Sequence, residues 1–567
     1  MTTPNPMTIS DLVKEFKRGQ MQLPEMQRGY VWKSTQVRDL LDSLYRGYPT
    51  GNILRWETTD NSVETRDSAI DQTNEKWANS YLLLDGQQRL TSLAAVVQGE
   101  KVQVKDSKKP IDIYFNLDHK ENLYETELED DEQDDAVFEC DDDDDDEKED
   151  KDPLDNYDKP FIVANNRVKQ KANWVSVTEV FKSNDITPFL QRVGINSFDD
   201  PRYKKYQERL TKLINIRKYE FPVITLKKEL KYDEVADIFV RVNSLGTKLK
   251  GSDLALAQIT SKWHGSLGTF EQYRKECKEI NWDISIGILL RTLVAITTGQ
   301  SKFKTVNSLS LATLQEGWIS TKEAVSFVLA YLSQNFDIEN QNLLSSPYFI
   351  TTLAYFAHVK QKIITEAETK TLKKWLLIAN AKGRYSWGSS ETKLDEDLAT
   401  IRQGNVAKLL DTLSAQFGRL DITLDDMRGK NRTSGFFKTM FILMHKNKAR
   451  DWNTDLVISM QHPGKKDKIE FHHIFPKNIL KNYERKEIND IANLTFIGKV
   501  TNIKISDHNP EVYLEAILKE RGEGILREHC IPIDKELWKI DRFIDFTNKR
   551  RELLLELINK YLDEVKV

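Results

Sequence analysis

Residues 469–480 have the sequence IEFHHIFPKNIL, and residues 493–502 have the sequence NLTFIGKVTN. The first stretch begins as an apolar strand that Pro476 brings to an end, and the second predicts another strand that runs into a helix. The expected order is therefore strand, loop, strand and helix. Because His472 and His473 are adjacent on one strand, they should point to opposite faces and do different work.

This order of elements can hold one divalent cation beside a phosphodiester. Cleavage of that bond needs an activated water, a cation that stabilises negative charge, and a proton for the leaving oxygen. A neutral histidine suits the first task because its pKa lies near operating pH. A bare His-His pair is more often structural, but Pro476 and the nine-residue spacing from Asn493 to Asn502 favour a nuclease.

The stretches HHIFP and NLTF, with Asn502, together resemble the ββα-metal HNH endonucleases. More narrowly, they resemble the C-terminal nuclease domain of GmrSD-type restriction enzymes, which are modification-dependent (type IV) endonucleases. The resemblance implies that His473 is the general base and that Asn493 orients it through its carbonyl oxygen. It also implies that His472 and Asn502 bind Mg²⁺ or Mn²⁺, although many relatives have Asp or Glu in place of His472.

Many HNH domains use cysteine pairs to bind a structural zinc, and this chain departs from that pattern. Its three cysteines, Cys140, Cys277 and Cys530, are far apart and form no CxxC pair. This spacing argues against a four-cysteine zinc site and against a disulfide framework. We therefore expect helical flanks to hold the motif. His508 is an alternative metal ligand, but a surface position is the more common one for such a residue.

A second motif, LLLDGQQRLTSL at residues 82–93, predicts a strand, a tight turn and a helix start. Backbone amides at a helix N-terminus attract anions, and an arginine adds a fork suited to phosphate. Gly86 permits the turn and a close approach of the backbone. The motif therefore predicts a phosphate site, although a strand, a turn and a helix with one arginine are common for structural reasons.

Two further clusters accompany this motif. Polar and aromatic side chains alternate in residues 23–36, LPEMQRGYVWKSTQ. They could hold a phosphate and stack a base. They could also form a folded core with one salt bridge, which is the commoner outcome. Residues 239–254 place Asn243 at a helix end, where a loop could cover a pocket.

In this order the three clusters resemble the N-terminal domain of the same GmrSD-type family, which is similar to the ParB and sulfiredoxin fold. The resemblance implies a nucleoside triphosphate as ligand. It assigns nucleotide binding to one set of residues, namely Asp85, Gly86, Gln87, Gln88, Arg89, Gln27 and Arg28. It suggests pocket contacts for a second set, namely Tyr30, Trp32 and Asn243.

The 567 residues are too many for one core, and 39% hydrophobic with 30% charged residues is typical of a soluble protein. There is neither a run of eighteen apolar residues nor an apolar N-terminal segment of the signal-peptide kind, so we expect a cytoplasmic protein without a membrane span. The fold class we expect is α+β multidomain. It comprises a ParB/sulfiredoxin-like α/β domain (1–260), a helical connecting domain (261–425) and a ββα-metal HNH domain with helical flanks (426–567).

The hydrophobic pattern also predicts individual elements. Strands are expected at Tyr81–Leu84 and Phe221–Leu226. The helices expected are Ile9–Phe16, Thr35–Arg46, Leu90–Val97, Tyr232–Asn243, Ile284–Thr297, Thr321–Asn335, Tyr348–Lys362 and Glu368–Ala379.

An acidic stretch lies inside the first domain. Residues 125–152 contain 19 acidic residues and two lysines, a local charge of −17, so the rest of the chain carries +12 against a total of −5. Such a segment cannot bury enough apolar surface to fold, so we expect a disordered loop. A less favoured hypothesis is that it mimics DNA in a basic groove.

These patterns predict a nucleotide-responsive, metal-dependent endonuclease of double-stranded DNA, used in restriction of phage or other modified or foreign DNA. The alternatives are a nucleotide-gated DNA-binding protein with an inactive HNH fold and an endonuclease that nicks unmodified DNA. The sequence leaves open the preferred nucleotide, whether the nucleotide is only bound or also hydrolysed, the DNA modification and whether the chain forms an oligomer.

Overall fold

A computed structural model describes residues 4–27, 30, 32–58, 65–66, 80–97, 112–120, 159–183, 185–245, 251–386, 388–461 and 468–565. The described residues form two compact units, one ending at Leu267 and the other beginning at Gly268. The expected acidic loop at about 125–152 lies outside the described residues, as does Arg28. The division into three domains at 260 and 425 stays a prediction.

The N-terminal unit is built around a six-stranded mixed sheet with the order β1-β9-β3-β5-β2-β4 and a three-stranded antiparallel sheet with the order β7-β6-β8. The strands of this unit are β1 Asn5–Thr8, β2 Met21–Pro24, β3 Ile53–Thr58, β4 Thr65–Arg66, β5 Ser80–Asp85, β6 Ile113–Asn116, β7 Phe161–Val163, β8 Trp174–Ser176 and β9 Glu220–Leu226. Its helices are α1 Ile9–Lys17, α2 Ser34–Arg46, α3 Gln87–Val97, α4 Asn166–Lys169, α5 Val177–Lys182, α6 Thr187–Arg192, α7 Tyr203–Asn215, α8 Tyr232–Leu245 and α9 Gly251–Lys262.

Both faces of the larger sheet are covered, because alternate residues of its central strands enter different cores. Ile53 and Leu83 belong to the core beneath α1, α2 and α3. Their neighbours Leu54 and Leu84 belong to a second core with Phe239 of α8. Strand β5 ends at Asp85 and α3 begins at Gln87, so the turn between them lies where β5 leaves the sheet.

The C-terminal unit is mostly helical, and α10 Ser266–Glu279 crosses the boundary between the units. Its further helices are α11 Ile286–Thr298, α12 Leu311–Phe336, α13 Tyr348–Val359, α14 Glu366–Lys382, α15 Ser390–Arg402, α16 Lys408–Phe417, α17 Leu424–Met427, α18 Gly435–Lys446, α19 Arg485–Ile488, α20 Lys499–Ile505, α21 Pro510–Arg521, α22 Glu523–Glu528 and α23 Phe543–Glu564. Its two strands, β10 Ile469–His473 and β11 Leu494–Gly498, form an antiparallel pair.

The expected mixture of small sheets and many helices is confirmed, and so is the order β10, loop, β11, α20. The expected strands and helices are all present, with ends that differ by a few residues in most cases. Helix α12 is the exception, since it begins ten residues before the predicted Thr321. Gly317 lowers helix propensity there, but a side chain at this position would collide with Thr297 of α11, so close packing of the two helices explains the glycine.

None of the described helices combines the length and apolar character needed to traverse a lipid bilayer.

Candidate functional site

The two histidines lie on opposite faces of β10, as expected. His472 pairs with Thr495 and His473 with Leu494 in an uninterrupted antiparallel register. His472 faces the interior and is 4% exposed, whereas His473 is half-buried. Because the strand is regular, the neighbouring residues His472 and His473 lie in two different environments.

His472 is a neutral imidazole in the folded protein. Burial lowers its pKa to about 4, the charge of His473 lowers it too, and the hydrogen bond with Asn502 opposes these effects. Its Nδ1 is 2.8 Å from Asn502 Oδ1, and its Nε2 is buried without a hydrogen-bond partner. The neutral ring is the form that binds metal ions.

Asn502, on α20, joins His472 to a carboxylate that the sequence analysis did not single out. The Nδ2 group of Asn502 donates to Glu470 Oε2 at 2.9 Å, while its Oδ1 faces His472. Glu470 and His472 are two residues apart on β10 and share a face, so the alternation of a strand could have identified Glu470.

These residues fit a divalent cation bound mostly by water and substrate. The described residues contain no group of three or more His, Cys, Asp or Glu side chains arranged to hold a metal ion. The candidate donors are one imidazole nitrogen and one amide oxygen, with the Glu470 carboxylate beside them. Mg²⁺ keeps several waters and binds few protein groups together with substrate phosphates, so a sparse donor set suits it.

His473 has a partner that the sequence analysis missed. Its Nε2 is 3.0 Å from Oδ1 of Asn489, the residue that caps the C-terminus of α19. An amide oxygen only accepts hydrogen bonds, so this pairing places the imidazole hydrogen on Nε2 and the basic lone pair on Nδ1. Asn489 lies in an irregular loop sixteen residues away, and no spacing rule singles it out.

Asn493 holds the loop between the two strands. Its Nδ2 group donates to the carbonyl oxygens of Phe475 and Ile488, and its Oδ1 accepts from the backbone amide of Phe475 at 2.8 Å. Its own carbonyl accepts from the amide of Ile474, the residue after His473. Asn493 therefore acts on the backbone next to the candidate base, and a direct role in orienting the imidazole stays a prediction.

Buried polar side chains brace this motif in the helical flanks. Arg550 of α23 is fully buried and donates to the carbonyls of Ile491, Ala492, Leu494 and His529. Asp451 accepts from the Gly498 amide and the Thr501 hydroxyl, which fixes the junction of β11 and α20. These contacts fix the loop and both ends of β11.

His529 belongs to the same framework. Its Nδ1 is 2.8 Å from Thr495 Oγ1, its Nε2 is 2.8 Å from the Arg450 carbonyl, and burial lowers its pKa to about 4. His508, in contrast, is exposed.

The low pKa of His529 predicts acid sensitivity of the C-terminal unit. A histidine whose pKa falls from 6.5 to about 4 on folding stabilises the protein above pH 6.5. That contribution is lost progressively as the pH falls towards 4, by about 2 kcal/mol between pH 7.5 and pH 5. In urea unfolding, His529→Gln should therefore lose less stability than the parent over this interval. An equal loss in both proteins would contradict the assignment.

The two N-terminal motifs meet at the β5–α3 edge. The Nε2 group of Gln27 donates to the carbonyls of Leu83 and Leu84 at 2.6 and 2.7 Å. The Tyr30 hydroxyl lies 2.8 Å from Ser92 Oγ in the middle of α3, and the backbone amide of Trp32 donates to Gln88 Oε1 in its first turn at 3.3 Å. Residues some 56 positions apart in the sequence are therefore in direct contact.

Arg89 braces a neighbouring loop. Its guanidinium donates to the carbonyls of Thr50 at 2.5 Å and Asn52 at 2.7 Å, and lies 3.4 Å from the Asp85 carboxylate. Gly86 has a φ of +92°, and a side chain there would collide with Ile53, so the turn requires glycine. The contacts of Arg89 also agree with a structural role for the turn.

The other predicted N-terminal residues lie at the ends of β5, α3 and α8. Gln87 is buried at the first position of α3, and Asp85 ends β5. Asn243 lies in the last turn of α8, with its side chain outside the description.

Two family models match the chain. The model of the GmrSD restriction endonuclease N-terminal domain matches residues 9–260, and the model of the C-terminal domain of these enzymes matches residues 418–557. The chain is also similar to an uncharacterized protein of Methanocaldococcus jannaschii, with 25% identity over 566 residues, 94% of this chain and 90% of that protein.

Proposed function

We propose that this chain, which belongs to the family of GmrSD-type restriction endonucleases, is a metal-dependent DNA endonuclease of the HNH type that restricts modified or foreign DNA. The observation that carries the proposal is the pairing of two differently held histidines. His472 is buried, neutral and joined to Asn502, whereas His473 is half-buried and held by Asn489. A metal ligand and a general base need these two environments.

His472 and Asn502 would hold the divalent cation by exchanging the hydrogen bond between His472 Nδ1 and Asn502 Oδ1 for bonds to the metal, and Glu470 would keep the Asn502 amide in place through Nδ2. A bound Mg²⁺ or Mn²⁺ supplies charge that stabilises the pentacovalent phosphate and the leaving oxygen. The Glu470 carboxylate accepts from Asn502 Nδ2 and adds negative charge beside the donors. Such outer partners orient metal ligands and commonly change metal affinity by about 10–100-fold.

His473 would take a proton from the attacking water at Nδ1. Asn489 holds the ring by accepting from Nε2 and also stabilises the imidazolium that forms, because its oxygen is a dipole directed at the positive charge. Asn493 keeps the loop in register through its three side-chain hydrogen bonds to the backbone.

The N-terminal unit would bind a nucleoside triphosphate at the turn of residues 85–89. The support is that Gln27 and Trp32 form hydrogen bonds with the end of β5 and the first turn of α3, where backbone amides of a helix N-terminus favour phosphate. Nucleotide occupancy would then change DNA cleavage by shifting a conformational equilibrium.

Arg89→Ala tests the nucleotide proposal. A lost charge-assisted hydrogen bond to phosphate costs about 1.5–3 kcal/mol, so nucleotide affinity should fall at least tenfold and the nucleotide dependence of cleavage should weaken. Calorimetry measures the affinity, with Arg46→Ala as a control, since Arg46 pairs with Asp42 on α2. Reduced thermal stability with unchanged nucleotide affinity would identify the turn as a structural joint.

A nuclease assay tests the proposal as a whole. Unmodified, glucosylated-hydroxymethylcytosine and phosphorothioate duplexes are offered with Mg²⁺, Mn²⁺ or EDTA, and with or without each nucleoside triphosphate. Cleavage that disappears in EDTA is expected. Binding without cleavage would favour a nucleotide-gated DNA-binding protein, and single-strand cuts in unmodified DNA would favour a nicking endonuclease.

A further inference from the structure

A basic loop lies beside the candidate base. It spans residues 428–434, RGKNRTS, between α17 and α18, and carries Arg428, Lys430 and Arg432 at alternate positions. The Gly429 amide donates to the Asp490 carboxylate at 3.0 Å, and the Lys430 carbonyl accepts from the Ile491 amide at 2.8 Å.

These anchors attach the basic loop to the segment that carries Asn489. Asn489 directly precedes Asp490 and makes the 3.0 Å contact with His473 Nε2. Both anchors use backbone atoms of the basic loop.

Arg432 places a cation on the face of β10 that carries His473. Its guanidinium carbon lies 5.0 Å from the centroid of the Phe471 ring. Phe471 and His473 are two residues apart on a regular strand and therefore share a face. The opposite face carries His472.

The basic loop keeps a positive charge. Arg428 lies 3.6 Å from Asp425, but the two side chains are 65% and 82% exposed, and such surface pairs contribute little. Asp490 is almost fully buried and already pairs with Arg551 at 3.1 Å, so it does not neutralise the exposed Arg428.

We propose that Arg428, Lys430 and Arg432 form a phosphate clamp that holds the backbone of duplex DNA against the His473 face of β10. This inference rests on the proposed nuclease function and assigns its substrate contact to a particular surface. Arginine and lysine contacts to phosphates position a duplex without reading its sequence. The clamp therefore sets DNA affinity and the placement of the scissile bond, and base recognition lies elsewhere.

The test is the salt dependence of DNA binding by the full chain. Affinity for a fluorescent, unmodified duplex is measured in EDTA over a range of NaCl concentrations, for the parent, for Arg428→Ala, for Lys430→Ala and for the triple alanine variant. Each lost phosphate contact should reduce the slope of log affinity against log salt by about 0.9, so the triple variant should lose between two and three. Affinity at low salt should fall on the order of tenfold per contact.

Arg527→Ala is the matched control, because Arg527 is also 65% exposed and paired with a neighbouring carboxylate, Glu523. A second readout is cleavage in Mg²⁺, where the single variants should need more DNA than the control variant to reach half-maximal rate. If the variants of the basic loop have the same slope of log affinity against log salt as Arg527→Ala, the clamp proposal is wrong. A parent that neither binds nor cuts any duplex would instead overturn the nuclease proposal. If the triple variant does not fold, the comparison of Arg428→Ala and Lys430→Ala with the control decides between these outcomes.

Discussion

Replacement of His473 by alanine is expected to lower the rate of DNA cleavage by about 10²–10⁴-fold or more, the effect of losing a general base. DNA binding and metal binding should persist, because the cations of the basic loop and the His472–Asn502 pair do not depend on the His473 imidazole. Single-turnover cleavage, duplex affinity and Mn²⁺ calorimetry on the same preparations measure these three properties separately.

Two variants make this result specific. His508→Ala removes an exposed histidine six residues after Asn502 and should leave cleavage unchanged. Asn502→Ala should raise the metal concentration needed for cleavage, whereas His473→Ala should leave that concentration as it was. Full activity of His473→Ala would rule out the assignment, and an unchanged metal titration of Asn502→Ala would remove Asn502 from the metal site.

Local patterns predicted the C-terminal motif well, because its central features are local. Alternation along a strand separates His472 from His473, and the structure shows one buried and one half-buried side chain. Asn489 and Arg550 were not predictable in this way. Their contacts depend on how an irregular loop folds back and on where a helix almost 80 residues after His472 packs, and neither follows from a repeat or a spacing.

In the N-terminal motif, too, the local elements were predictable from the sequence and the distant contacts were not. The end of β5, the glycine turn and α3 were predicted from the Asp85–Arg89 stretch and are confirmed as elements. The partners of Arg89 were not, because Thr50 and Asn52 precede β3, which reaches β5 only through the non-sequential strand order of the sheet. An arginine that looks free for phosphate in the sequence therefore already contacts two carbonyls.

Arg550→Met is expected to destabilise the C-terminal unit by about 4 kcal/mol or more and to abolish cleavage. The Arg550 guanidinium donates to four backbone carbonyls, and each buried carbonyl left without a partner costs about 1–3 kcal/mol. Methionine removes the unfavourable burial of a charge, which already lowers the Arg550 pKa to about 10, but it satisfies none of these carbonyls. Three of them belong to residues 491–494, so the loop that holds Asn489 and Asn493 should loosen.

Urea unfolding followed by circular dichroism measures the loss of stability. Arg542→Ala is the control, because Arg542 lies just before the same helix but is 46% exposed and pairs with Asp545. Arg550→Lys keeps the charge with a different donor geometry and should fall between the parent and Arg550→Met. A free energy of unfolding for Arg550→Met within about 1 kcal/mol of the parent would mean that the carbonyls find other donors. In that case the framework of the motif would rest on Asp451 and His529, whose hydrogen bonds hold β11 and its junction with α20.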